Sequence, residues 1–127
     1  MRSRIYLDHA ATSWPKPESV YRTMDDYARE SGAPAGRGSY REAIEVERTI
    51  NQTRQAIAQL IEADDPRRIL FTYSGTDSLT LAIRGLVKPK DHVITTVCDH
   101  NSVLRPLHHL EQQQDVAVTR IGADAEG

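Results

Sequence analysis

The sequence predicts an α/β fold in which an N-terminal helical segment, residues 1–67, precedes the start of a β-α-β-α-β domain, residues 68–127. Three observations predict it. Apolar residues of the first half recur at helical spacing, at Val20, Met24, Tyr27 and Ala28 and again along residues 40–62. From Arg68 onward, short apolar runs alternate with amphipathic stretches, the order that builds a parallel sheet. Two strand-to-helix turns, 73–78 and 98–102, then concentrate Gly, Ser, Thr, Asp and His at one edge of that sheet.

The first helix is expected over 17–30, opened by Pro15 and Pro17. Residues 31–39 contain Gly32, Pro34, Gly36 and Gly38 and read as a flexible break. A longer helix, 40–62, has the apolar face Ala43, Val46, Ile50, Ile57, Leu60 and Ile61 against a charged one. The sequence Ala63-Asp64-Asp65-Pro66 ends it. Strands are then expected at 69–73, 92–97 and 116–121, with helices at 76–86 and 101–113 and right-handed crossovers between.

Composition narrows the class. A chain of 127 residues can form one domain with a modest core, and 39% hydrophobic residues suit a globular protein. The 16 basic and 18 acidic side chains leave a net charge of −2, which gives no reason to expect nucleic acid. No apolar run approaches membrane-spanning length. Nothing near Met1 resembles a signal peptide, since Arg2 and Arg4 lead only into Ile5-Tyr6-Leu7 before Asp8. The one cysteine argues against a disulfide framework and fits a reducing cytoplasm.

The turn Tyr73-Ser74-Gly75-Thr76-Asp77-Ser78 has the makings of a phosphate grip. A helix starting near Thr76 exposes unpaired N–H groups and the positive end of its dipole. Gly75 lacks a Cβ, so an anion can approach the main chain closely. The hydroxyls of Ser74, Thr76 and Ser78 add donors. The competing reading is that Thr76 and Asp77 cap an ordinary helix. No Lys follows the glycine and no second glycine stands at P-loop spacing, so the turn is a poor match to a nucleotide triphosphate loop.

His100 belongs to the second turn. In a parallel sheet both turns lie at the carboxyl ends of strands, where open α/β folds hold ligands. An imidazole there could lie flat against a planar ring whose phosphate sits at Gly75 and Thr76, a pairing that points to a phosphorylated aromatic cofactor. Its bland alternative is a solvated loop residue or a donor at a helix start. Cys98 reads as a small apolar filler. Cys98, His100 and His108 or His109 could be imagined around a metal, but no second ligand pair completes the set, and no metal is expected.

Taken in order, these segments resemble those of the class V aminotransferase-like, or cysteine desulfurase, family. Ile5-Tyr6-Leu7-Asp8-His9-Ala10-Ala11-Thr12 with Pro15-Lys16-Pro17 is similar to the family's opening. Residues 69–83 resemble its phosphate-binding segment, and Asp91-His92-Val93-Ile94-Thr95-Thr96 with 99–107 the segment carrying its ring-stacking histidine. The resemblance implies the start of the large domain of a type I aminotransferase-like fold dependent on pyridoxal 5'-phosphate. It implies that Gly75 and Thr76 hold the phosphate, and that His100 stacks on the ring and assists proton transfer. The implied reaction is sulfur removal from an amino acid, L-cysteine, or a related class V aminotransferase reaction, and the complete enzyme is implied to be a homodimer. Tyr40, where many relatives have His, His9, where many have Asn, and Asp77, where Glu is commoner, depart from the pattern.

That chemistry needs a lysine to hold the cofactor as a Schiff base. Lys16, Lys88 and Lys90 are the only lysines, and none has the Ser/His-rich context of the family's residue. The family's ring-holding Asp and Gln, its substrate-binding Arg and its mobile-loop Cys are missing too. The chain therefore reads as the N-terminal portion of an enzyme, inactive alone. Three strands taken from a larger sheet would leave an open edge, so marginal stability, oligomerisation or aggregation is expected. The alternative is a stand-alone, non-catalytic phosphate-binding or interaction module. Arg37, among glycines, reads either as a mobile anion-binding element or as part of a plain linker.

Overall fold

The structure, a computed structural model, describes residues 5–124 and 126. Arg2 and Arg4, weighed above for targeting, lie outside the described residues. The chain divides between Ile69 and Leu70 into two units, each with its own packing.

The first unit is helical. Tyr6 anchors its opening turn, its hydroxyl donating to the carbonyls of Asp8 and Thr12 at 2.9 and 2.8 Å. Helix α1, Glu18–Asp26, follows Pro17, which needs no N–H partner and has φ near helical already at −54°. It runs into a π-helical turn, Tyr27–Ser31, which ends on Gly32 at φ +53°, the left-handed residue that lets the Gly32 N–H return to the Tyr27 carbonyl. The expected flexible break is tied down. Ala33 is buried, its carbonyl accepts from the Tyr27 hydroxyl at 2.9 Å, and a Cβ at Gly38 would collide with the Tyr40 ring. Helix α2, Arg41–Leu60, buries Ala43 and Ala58 and half-buries Val46, Ile50 and Ile57. Leu60 and Ile61, assigned to that face from the sequence, are exposed, because the buried stripe reaches Ala58 and the helix ends at Leu60. Asp65 then caps a short 3-10 turn, Pro66–Arg68.

The second unit holds the strands. The strand expected at 69–73 does not form: the segment is extended but enters no ladder, and Tyr73 is fully exposed. A strand is defined by its neighbour's hydrogen bonds, and none of the described residues supplies them here. Helix α3, Gly75–Leu86, leads to β1, His92–Thr96, and helix α4, Asn101–Gln113, to β2, Ala117–Ile121. The two strands pair in parallel, from His92 with Ala117 to Thr96 with Ile121. Helices α3 and α4 pack on each other, and α4 also packs on β2. Leu107, Leu110 and Val116 are the buried apolar centre, joined by Thr95, Ser102 and Pro106. The Arg120 guanidinium grips the Glu111 carboxylate with two bonds of 2.8 and 3.1 Å, pinning β2 to α4. That bond holds the Glu111 carboxyl below its ordinary range.

Candidate functional site

The first candidate turn is built by its own hydroxyls. Ser74, in extended backbone, is the N-cap of α3, and its Oγ accepts from the Asp77 N–H at 3.2 Å. Asp77 turns back to accept from the Tyr73 N–H at 3.4 Å. Thr72 donates to the Ser74 carbonyl at 2.9 Å, so its one proton is spent; the Ser78 hydroxyl, 2.5 Å from Thr72, must therefore be the donor in that pair. Of the three hydroxyls expected to face an anion, Ser78 is thus occupied within the turn and Ser74 serves as the cap. Thr76 is left. Neither its hydroxyl nor the N–H groups of Gly75 and Thr76 find a partner among the described residues. A Cβ placed on Gly75 would meet nothing within 4 Å, so the main chain there is open to an incoming group.

The second turn is closed. Asp99 Oδ2 accepts from the Thr95 hydroxyl at 2.5 Å and the Thr96 N–H at 2.9 Å. These bonds, the hydroxyl's foremost, lower the Asp99 carboxyl from its ordinary value. The next residue, His100, is the N-cap of α4: its Nδ1 accepts from the Ser102 N–H at 3.1 Å and lies 2.8 Å from the Ser102 hydroxyl. The sequence raised a donor at this helix start; the ring acts there as an acceptor. The residue as a whole is exposed.

The packing of α3 on α4 forms one groove of about 280 Å³ that Thr76 lines, whereas Gly75 and His100 lie outside its lining. Thr76, Thr80 and Arg84, four residues apart on α3, form one wall, and Asn101, Ser102, Arg105 and His109 line the other. No carboxylate lines it, and two arginines with two helix N-termini make it a place for anions. Arg84 and Arg105 were not singled out from the sequence. Their spacing from Thr76 and Asn101 was the available signal.

The other candidates lie elsewhere. Lys88 and Lys90 precede β1 at its amino end, whereas the His100 turn follows its carboxyl end. Lys16, His9 and Arg37 belong to the first unit, where Lys16 Nζ donates to the Ser13 carbonyl at 2.8 Å. Cys98 is exposed, which corrects its reading as an apolar filler: it stands in the turn, beyond the strand's buried face. Among the described residues no three His, Cys, Asp or Glu side chains are grouped to hold a metal, and no helix is long and apolar enough to cross a membrane.

The Aminotransferase class-V family model matches residues 5–127. A cysteine desulfurase of Cereibacter sphaeroides is 33% identical over an alignment covering 98% of this chain and 32% of that protein. The cysteine desulfurase IscS of Tolumonas auensis is 37% identical, over 89% of this chain and 29% of the relative. Among solved structures, the apo cysteine desulfurase of Thermococcus onnurineus NA1 is similar at a TM-score of 0.84 and 30% identity, over 97% of this chain and 31% of that one. The chain spans about a third of the length of the curated relatives it matches.

Proposed function

The chain belongs to the aminotransferase class-V family, and from that premise we propose that it supplies the cofactor-gripping part of a cysteine desulfurase-like enzyme. Such an enzyme removes sulfur from L-cysteine with the help of pyridoxal 5'-phosphate. The observation that carries this reading is the shared groove, which Thr76 lines from α3 and Asn101 and Ser102 from α4, with His100 preceding them in the chain and outside the lining.

The residues present fit such a cofactor at both ends. Open space in front of Gly75, the unpartnered N–H groups of Gly75 and Thr76, and the Thr76 hydroxyl suit a phosphate. Arg84 and Arg105 add positive charge along the same groove. His100, held by its own helix, would cover one face of a flat ring. When bound, pyridoxal phosphate supplies an electron sink that weakens bonds around the α-carbon of an amino acid. None of the chain's three lysines lines the groove, so catalysis is proposed for the enzyme to which this chain contributes and not for these residues alone. The single free cysteine suits a reducing compartment, and we place the protein in the cytoplasm. Exposed Leu70, Phe71, Ile94 and Ile121 suit a homodimer, in which such surface would be covered.

Titration with pyridoxal 5'-phosphate and, separately, with inorganic phosphate tests the assignment. Thr76→Val should weaken both about tenfold, the worth of a hydrogen bond to a charged group. His100→Ala should weaken the cofactor and spare phosphate. Unchanged affinities in both variants would overturn the roles given to these residues.

The position of the lysines also favours a second reading, a non-catalytic module that binds phosphate or a partner. The intact mass of the native protein separates the two. A mass well above 14.3 kDa supports the enzyme, and a mass of 14.3 kDa supports the module.

A further inference from the structure

The imidazole of His100 is held by the helix it caps. Its Nδ1 accepts from the Ser102 N–H at 3.1 Å. A backbone N–H can only donate, so the Nδ1 lone pair is committed and the neutral ring carries its proton on Nε2. The Ser102 hydroxyl, 2.8 Å from the same nitrogen, then donates to it as well. Ser102 is only 5% exposed, so water does not readily replace either partner. The backbone before the ring is fixed with equal care. Asp99 joins the Thr95 hydroxyl and the Thr96 N–H, both at the end of β1, to the residue next to His100. The ring is thereby set at both its backbone and its inner nitrogen.

We propose that Asp99 and Ser102 are positioning residues that hold His100 as the Nε2–H tautomer, so that it meets a bound ligand as a hydrogen-bond donor and not as a proton acceptor. The ligand-facing part rests on the functional reading above; the tautomer does not. For the ring to accept a proton, Nδ1 must release both Ser102 groups, and the first turn of α4 then loses its cap.

Long-range ¹⁵N–¹H spectra of the histidine rings in this chain test the proposal. Nδ1 of His100 should show the shift of an unprotonated ring nitrogen and Nε2 that of a protonated one, with a tautomer ratio above that of free histidine. Ser102→Ala should lower this ratio roughly fivefold, the effect of one ordinary hydrogen bond, and Ser102→Thr should keep it. The bond of 2.7 Å between His92 Nε2 and Thr119 Oγ1 crosses the two strands, so an unchanged His92 signature reports an intact fold. A wild-type ratio equal to that of free histidine overturns the proposal. So does an unaltered ratio in Ser102→Ala with His92 intact; if that variant loses the His92 signature, the wild-type ratio decides alone. Adding pyridoxal 5'-phosphate separates the two inferences. Movement of the Nε2–H signal on addition supports the ligand-facing role, whereas a locked ring that does not move supports the lock and counts against the cofactor reading.

Discussion

At the start of α3, Ser74 supplies the cap but leaves the N–H groups of Gly75 and Thr76 to solvent, on a segment that no strand pairs with. At the start of α4, His100 supplies the cap, Asp99 ties the turn to β1, and the neighbouring Ser102 is buried. Both turns open a helix and are rich in the same residue types, yet one keeps its donors available and the other consumes its polar groups internally. Availability is what an anion requires, because solvated donors can exchange water for phosphate without breaking the fold. Consumption is what a ring-presenting side chain requires, because orientation is lost wherever a rotamer is free. The difference suits the proposed roles, gripping for the first turn and presentation for the second.

Breaking the platform beneath the second turn should have the largest effect. Leu110, 2% exposed in the centre of the second unit, is expected to cost about 2–5 kcal/mol when cut to Ala. Urea denaturation measures this, and a wild-type midpoint would show that α4 does not carry the unit. Removing the first turn's cap is milder. Ser74→Ala should cost about 1 kcal/mol in the same assay while leaving the His100 ring signals in place, since the two caps share no hydrogen bond. Movement of His100 in that variant would show that the turns are coupled.

The smallest effect sharpens the contrast through pH. The Thr95 hydroxyl and Thr96 N–H keep the Asp99 carboxyl below its ordinary value, so the fold favours its ionised form. Its contribution is complete above the unfolded carboxylate value of about 4 and is lost as pH falls through the lower folded value. Glu111, lowered by its bond to Arg120, has the same sign. Melting temperatures followed from neutrality into the acid range should fall, and Asp99→Asn should flatten part of the fall. An identical acid profile in that variant would remove Asp99 from the account.

Local pattern was enough where an element's signals agreed. Helix α4 occupies the expected 101–113, and α3 starts one residue before expectation, because apolar spacing and polar N-cap residues point to the same bounds. Strand 69–73 shows the opposite case. Its run Ile69-Leu70-Phe71-Thr72 has strand composition, but hydrogen bonds come from a neighbour, and composition says nothing about whether one is present. The segment 31–39 misled in the other direction. Glycines marked it as loose, whereas a single buried Ala33 and the Tyr27 hydroxyl tie it down.

By itself the sequence determined the order of the helices and marked Gly75, Thr76 and His100 as candidates, the first two proposed for an anion and the third for a ring. These follow from local rules: a missing Cβ, unpaired donors in a first helical turn, and apolar spacing. Tertiary structure alone decided that α3 and α4 pack with Thr76, Arg84 and Arg105 along one groove. The bonds that occupy Ser78 and the Nδ1 of His100 are local, to Thr72 and Ser102 in the same turns, yet composition alone does not say which donor meets which acceptor. The groove itself depends on how two helices separated in the chain pack on each other, which no local rule sets.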